Sequence, residues 1–385
     1  MGQALSACLR RRRRAGAGSN TSGLLDRCRF SLLGVRRAQE PQAGDPDKQP
    51  QPVTPSGNPL PEVVHLRLTT QSGALRGGGR TIVCGDVHGC AAELRALLAA
   101  VGFVEGQDNL IFTGDLITKG PYSQQARGRA RLDGQRASGA GRYGAVCVPL
   151  AAAGNNACAL APAAPCAPQV VAAARELGAW SARGNNDDAA LAARAAWERG
   201  EAITDPKFAF VSGLEAGDVA YLSQLPFSVS LPEYGAVVVH GGLVPGVPLC
   251  RQQLWAICVM RVLLRVEEGV WLPYDGDKTL TPLGSVPWAT AWPGPAHCLF
   301  GHDSARGLQL TACATGLDTA CATGGALTAA VLPPVEELQR DEAFVRKLRA
   351  REPIGFADLR GRLVSVPSQQ PRPPPPPPGA AVQAF

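Results

Sequence analysis

The chain has 385 residues, with 38 Lys and Arg against 32 Asp and Glu and a formal net charge of +6 at pH 7; this length allows one large domain or two small ones. Aromatic residues make up 5% of the chain and are not interleaved with basic ones, so no base-stacking platform or specific nucleic-acid module is expected. No apolar run approaches the ~20 residues that span a bilayer, and the twelve cysteines form no CxxC pair and accompany no secretory signal, which fits a reducing compartment and not a disulfide framework.

The amino terminus reads Met1-Gly2-Gln3-Ala4-Leu5-Ser6-Ala7-Cys8, then Leu9 and the run Arg10 to Arg14. Gly2 with Ser6 fits the myristoylation pattern. One myristoyl chain binds membrane only marginally; acylation of Cys8, or the arginine run, would supply the second signal. This reading gives a cytoplasmic protein anchored on a membrane surface. The same stretch is Arg-rich and acid-poor until Asp26, which also fits a transit peptide to a plastid or mitochondrion, and a solvated tail is the third reading. From Gln39 to Pro61 the chain is rich in Pro, Gln, Gly and charge and reads as linker. Residues 1–76 are therefore expected to form a basic, disordered N-terminal region.

Short apolar runs bounded by Gly then read as buried strands. Thr81-Ile82-Val83-Cys84 runs into Gly85-Asp86-Val87-His88-Gly89. Leu110-Ile111-Phe112-Thr113 runs into Gly114-Asp115. From 124 to 168 the chain is low in complexity and reads as a disordered surface insertion, because structureless stretches well beyond ~15 residues are unusual inside a domain. An apolar helix begins at Gln169-Val170-Val171 and leads to Trp180 and Gly184-Asn185. Helices are predicted over Ala189–Glu198 and Leu214–Leu222, the second ended by Leu225-Pro226. Ala236-Val237-Val238-Val239 runs into His240-Gly241-Gly242, Gln252–Leu264 is a further helical candidate, and Cys298-Leu299-Phe300 runs into Gly301-His302-Asp303. The last strand is expected to end at Ala329-Val331-Leu332. Val335–Arg351 is charged and helix-compatible. Pro367 to Pro378 is a proline tract that favours an extended rod, a spacer or a ligand for SH3, WW or profilin-like partners.

Three of the five histidines fall in these glycine-rich segments. Asp and His are common ligands of Zn, Mn and Fe, and in open α/β folds ligands collect at the carboxyl ends of strands. Two ions can be assembled from the set. Asp86, His88 and Asp115 would hold the first; Asp115, Asn185, His240 and His302 would hold the second, with Asp115 bridging. Two such ions, about 3.5–4 Å apart, clamp a phosphate and activate a water.

In order and context these segments resemble the calcineurin-like metallophosphoesterase superfamily, with its GDxHG, GDxxxxG, GNH[DE], lone His and GH pattern. Gly114-Asp115-Leu116-Ile117-Thr118-Lys119-Gly120-Pro121, His240-Gly241-Gly242-Leu243-Val244-Pro245-Gly246 and Gly301-His302-Asp303-Ser304-Ala305-Arg306-Gly307-Leu308-Gln309 look like the ApaH-like phosphatase branch. So do Ala314-Thr315-Gly316-Leu317-Asp318-Thr319 and Gly324-Gly325-Ala326-Leu327-Thr328. The resemblance covers roughly Arg80 to Pro333. It implies an α/β fold, a two-sheet β-sandwich flanked by helices, with a phosphoesterase domain over 77–333 and a charged helix and Pro-rich tail over 334–385. It also implies two divalent ions (Mn, Zn, Fe or Mg) and a substrate that is a phosphorylated small molecule, a polyphosphate, a capped RNA end or a phosphoprotein.

One departure matters. The GNHD pattern stands as Gly184-Asn185-Asn186-Asp187. Asn186 and Asp187 occupy the candidate catalytic positions, yet Asn186 replaces the family's His and cannot donate a proton as a general acid, a contribution of about 10²–10⁴-fold. Thr118 replaces the acidic or amide residue that orients that His. An alkoxide leaving group needs the proton; a phosphate leaving from an anhydride can be neutralised by a cation. Lys119 and Arg306, in matched motifs, and Arg183 and Arg261, which also read as ordinary solvated charges, are the candidate phosphate-binding cations. The expected activity is therefore hydrolysis of a phosphoanhydride or phosphoester, with a phosphate-binding pseudophosphatase acting as scaffold or sensor as the rival. A protein with Gly2→Ala is expected to lose most of its membrane fraction in cell fractionation; arrival of that variant in an organelle with a shortened amino terminus would establish the transit reading instead.

Overall fold

The computed structural model describes residues 52–120, 166–274 and 284–371. Gly2, Cys8, the arginine run, nearly all of the 124–168 segment and the run of prolines after 372 lie outside the described residues.

In chain order, β1 (His65–Arg67) and β2 (Thr81–Cys84) precede helix α1 (Ala91–Val101) and β3 (Asn109–Phe112). Next come α2 (Cys166–Glu176), β4 (Trp180–Ser181), α3 (Asn185–Glu198) and α4 (Ala216–Gln224). Strands β5 (Ser228–Leu231) and β6 (Ala236–Val239) lead to α5 (Leu254–Val259), β7 (Val262–Glu267), β8 (Val270–Tyr274), β9 (Ser285–Pro287) and α6 (Trp288–Ala291). The chain then forms β10 (His297–Phe300), β11 (Gln309–Leu310), β12 (Ala314–Gly316), β13 (Ala326–Leu332), α7 (Val335–Leu338), α8 (Glu342–Ala350) and β14 (Arg362–Pro367).

The strands build a six-stranded sheet in the order β1-β5-β6-β10-β12-β11, a five-stranded sheet in the order β14-β13-β2-β3-β4, and a small sheet β8-β7-β9. Side chains alternate between faces along each strand, and both faces of the two large sheets are covered. Val83, Ile111 and Ala330 face Val229, Val238 and Leu299 of the opposite sheet. Their neighbours Ile82, Leu110 and Phe112 point outward against Leu94 and Leu97 of α1 and Val170 of α2. Val239 and Phe300 turn away from the inter-sheet core toward Ile257, Leu263 and Trp288. Strands covered on both faces read as continuous apolar runs, and burying each such side chain contributes about 1.5–3 kcal/mol. The expected two-sheet sandwich flanked by helices is what the chain forms. Strands β2, β3 and β4 run parallel, as do β6 and β10, so the loops carrying the candidate ligands leave from carboxyl ends.

Several elements differ from expectation. Helix α5 ends at Val259 and not near Leu264; Val262, Leu263 and Leu264 instead pair with Tyr274, Pro273 and Leu272 of β8 across the Glu268-Gly269 turn, where Gly269 adopts φ 72°. Tertiary pairing outweighs helix propensity here. The segment 335–351 splits into α7 and α8 because Asp341 caps α8, accepting from Ala343 N and Phe344 N. Helix α3 starts at Asn185, four residues before the expected Ala189, and α4 is shifted to Ala216–Gln224 by the capping pair Glu215 and Asp218.

The sheets also reach past the expected domain bounds of 77–333. His65–Arg67 pairs with β5, and Arg362–Pro367 pairs with β13 over six residues. Part of the stretch read as linker is docked: Ser56 N donates to Asp188 at 2.9 Å, and Asn58 Nδ2 donates to Asp188 Oδ1 at 3.0 Å and to its carbonyl at 2.7 Å. Asp188 also pairs at 3.4 Å with Arg183, which is fully buried. Removing one partner of a buried pair costs about 3–5 kcal/mol. Asp188→Ala is therefore expected to lose about 3 kcal/mol in urea unfolding, by stranding Arg183 and freeing the 52–61 segment. A loss under about 1 kcal/mol, the range of a surface pair, would contradict this role.

Candidate active site

Asp86 follows β2, Asp115 follows β3, Asn185 follows β4, His240 follows β6 and His302 follows β10. The parallel pairing brings these five loops together. Close approach is what the neighbouring glycines allow: a Cβ on Gly184 would run into Asp115 Oδ1, and one on Gly301 into Asp86 Oδ1. The turns are tight. His88, Asp115, Thr118, Lys119 and His302 all have φ between 49° and 76°, a region costly for side-chain-bearing residues and concentrated at functional sites.

Asp86, His88 and Asp115 offer ligand atoms that all lie within 4.8 Å of one another. Asp115 Oδ2 lies 3.6 Å from His88 Nε2 and 3.4 Å from His240 Nε2, between the two ligand sets. On the second side, His240 Nε2 is 3.0 Å from Asn185 Oδ1, and the rings of His240 and His302 are 5.0 Å apart. The atoms of the first set lie close together, and His240 of the second approaches the same carboxylate.

Each of the three histidines contacts a backbone carbonyl with one ring nitrogen. His88 Nδ1 meets Ile117 O at 3.2 Å, His240 Nδ1 meets Thr113 O at 3.1 Å, and His302 Nε2 meets Val259 O at 3.0 Å. A carbonyl only accepts, so these nitrogens carry protons, which leaves His88 Nε2 and His302 Nδ1 for an ion; His240 Nε2 also faces acceptors, Asn185 Oδ1 and Asp115 Oδ2, so that ring holds a second proton that an ion would displace. That is the usual outer support of metal-binding imidazoles. The early end of α5 matters here, because the last carbonyls of a helix have no partner within it and Val259 O is free to accept. Carboxylates are supported similarly: Thr113 Oγ1 donates to Asp86 Oδ1 at 3.0 Å and His302 N to Asp86 Oδ2 at 3.0 Å.

The site has a strong field. Burial opposes charge on Asp115, but His240 and His88 outweigh it and hold the carboxyl well below its usual range. Burial likewise opposes charge on His240, yet Asp115 and Asp86 raise it to about 9. Burial, with Lys119, drops His88 to about 3, and burial, with Arg261, holds His302 well below its usual value. Burial and Asp318 push Asp86 up. Carboxylates, imidazoles and an amide oxygen converging in this field fit a pair of divalent cations.

Asn186 is not idle. Its Nδ2 donates to Asp115 Oδ2 at 2.6 Å and its backbone N to Asp115 Oδ1 at 2.9 Å. Asp187, named as catalytic from sequence, is fully buried, and its carboxylate accepts from Gly184 N, Leu116 N and Ile117 N. It closes the first turn of α3 and ties that helix to the loop after Asp115, a positioning role. Burial and Asp115 raise it to about 7.

Of the four cations, Arg183 does not reach the site. Its guanidinium donates to Leu225 O, Ser223 O and Asp188 and lies over Phe227; it is neither a solvated charge nor a phosphate ligand. Lys119 reaches His88 Nε2 at 3.3 Å. Arg261 donates to His302 O at 3.1 Å. Both Arg261 and Arg306 pair with Asp303, the residue after His302, and of the two Arg261 is the one in contact with His302.

A family model for calcineurin-like phosphoesterases matches residues 79–311. The chain belongs to the calcineurin-like phosphoesterase family. Within this family it is 58% identical over 45 residues to the symmetrical bis(5'-nucleosyl)-tetraphosphatases of Pectobacterium carotovorum and Pectobacterium atrosepticum, a match over 12% of this chain and 16% of either relative. The matched stretch is thus well under a fifth of those enzymes. A solved structure assigned as a diadenosine tetraphosphatase is similar over 80% of this chain and 98% of its own, with 28% identity and a TM-score of 0.53.

Sequence motifs did not single out Thr113, Asp303 or Asp318. With burial, the charge of Asp318 pushes Asp86 up, and Asp303 pairs with the two arginines; both aspartates sit inside runs that match the family, and their charge in an apolar context was the available signal. Wild-type full-length protein is expected to carry two divalent ions by elemental mass spectrometry, and Asp115→Asn to lose at least one and melt at a lower temperature. Full occupancy in that variant would remove the basis of the shared-carboxylate arrangement.

Proposed function

We propose that this protein hydrolyses phosphoanhydride bonds, with dinucleoside polyphosphates as the leading substrate class and inorganic polyphosphate as the next. The observation that carries this reading is the 2.6 Å hydrogen bond from Asn186 Nδ2 to Asp115. It places a group with no ionisable proton where a leaving-group acid is expected, and directs that group to holding a carboxylate. The likeness to a diadenosine tetraphosphatase across nearly all of that chain supports the same class.

Asp86, His88 and Asp115, and then Asp115, Asn185, His240 and His302, would hold the two cations. Bound there, such ions supply Lewis acidity toward a phosphoryl oxygen and an acidified water. The protein's own groups do the rest. Asn186 and the N-terminus of α3 hold Asp115 charged, since helix N-termini favour anions. Lys119, Arg261 and Arg306 bind phosphate oxygens, and planar arginines suit bidentate contact. These cations neutralise a departing phosphate without proton transfer, whereas a departing alkoxide gains little from them.

The pseudophosphatase reading draws on the same contact, because an amide bound to Asp115 Oδ2 competes for an oxygen that both ligand sets share. The two readings part on turnover. The Thr118 hydroxyl is buried without a hydrogen-bond partner and cannot orient a histidine as a carboxylate would. Asn186→His is expected to raise turnover of a phosphoserine peptide by up to ~10²-fold, and Thr118→Asp with it toward the ~10⁴-fold limit of general-acid catalysis; hydrolysis of diadenosine tetraphosphate should change far less. All four proteins are assayed with Mn, Zn or Mg and with metal content measured. Equal gains on both substrates would sink the leaving-group argument, and no turnover by any of the four would establish the pseudophosphatase.

A further inference from the structure

A second cluster of ligand-type side chains lies outside the site just described. Cys90 Sγ, a Glu93 carboxylate oxygen and Cys321 Sγ all lie within 4.8 Å of one another. All three residues are buried, at 0%, 1% and 1% exposure. Cys90 stands immediately before α1 and Glu93 in its first turn, a spacing of three that puts both on one helix face. Cys321 arrives from the turn after Asp318, far along the chain, on a short 3₁₀ segment that follows Ala320 at φ 63°.

The end of β14 closes over this cluster. Gln369 N donates to Glu93 Oε1 at 2.9 Å and Gln370 Nε2 to the same oxygen at 3.4 Å, while Ser368 Oγ donates to Cys321 O at 2.6 Å. These donors to Glu93, a backbone amide and a side-chain amide, are neutral. A buried carboxylate is costly unless its charge is balanced, and two sulfurs converging on it are the donor type that thiophilic divalent ions select.

We propose that Cys90, Glu93 and Cys321 form a structural site for one divalent ion of the zinc type. Binding converts the two thiols to thiolates and releases their two protons to solvent, as thiolate–metal bonds require. Structural zinc sites contribute folding energy outright. Here the ion would join three parts of the chain: the exit of the loop that carries Asp86 and His88, the turn that follows Asp318, and the strap 368–370. It would sit apart from the Asp and His cluster and would differ from it in ligand chemistry, since that cluster has no sulfur donor.

This difference gives the test. The full-length protein is loaded with cobalt and its absorption recorded. A sulfur-to-cobalt charge-transfer band is expected in the wild type. It should disappear in Cys90→Ser and in Cys321→Ser, weaken in Glu93→Gln, and persist in Asp115→Asn, which strips only the oxygen and nitrogen site. Zinc content should fall by one ion per chain in each cysteine variant. Absence of the band in the wild type overturns the site without recourse to any variant, so misfolding of a variant cannot shelter it. Persistence of the band in both serine variants, or peptide mapping that finds Cys90 and Cys321 joined to each other in the native protein, would overturn it as well.

Discussion

The charge on Asp115 is what the rest of this structure is arranged to keep. The residue is 1% exposed, and a carboxylate so placed is stable only if it is fully hydrogen-bonded or paired. Its partners come from three separate parts of the fold. Asn186 and the first turn of α3 donate from one side, and His88 and His240 approach from two others. The parallel order of β2, β3 and β4, the sandwich that sets β6 and β10 opposite them, and the glycines beside the ligands all serve this convergence. A carboxylate held charged among imidazoles whose protons are already directed to carbonyls is a ready position for a bridging cation ligand.

The surroundings explain how such a site keeps its geometry. Five residues other than glycine in the active-site loops occupy the left-handed region. Such conformations persist only when the surrounding structure over-determines them. Here the over-determination is visible: Asp187 ties Gly184 to Leu116 and Ile117, His88 N bonds Asp115 O, and Gly301 N bonds His240 O. Movement of one ligand loop would therefore strain the others.

The departure at Asn186 changes the chemistry that this frame can perform without changing the frame. An amide of about the same reach as an imidazole supports the shared carboxylate and offers no titrating proton. The positive groups are kept instead: Lys119 beside His88, and Arg261 and Arg306 drawn together by Asp303. A site rich in fixed positive charge and poor in transferable protons favours leaving groups that depart as stable anions. That is the physical link between one substitution and the proposed preference for anhydrides over esters.

The sequence by itself determined the strands that carry the ligands, because short β-branched runs followed by Gly-Asp, Gly-Asn or His-Gly leave little choice of strand and turn. It determined the family, pointed to a candidate ligand set, and exposed the substitution at Asn186. It could not assign Arg183, since the same residue next to a motif serves equally as a solvated charge, a phosphate ligand or a buried clamp, and only the packing of Phe227 and Asp188 against it decides. It could not place the end of α5 at Val259 or the pairing of β14 with β13, because both depend on partners distant in sequence whose hydrogen bonds outweigh local propensity. The hydrogen bonds of Asp187 were out of reach for the same reason: its three donors lie on two separate loops that meet only when the sheet has formed. Residue type and spacing state which chemistry is available; which atom faces which, and hence which residue performs it, is set by long-range contacts that leave no local mark in the chain.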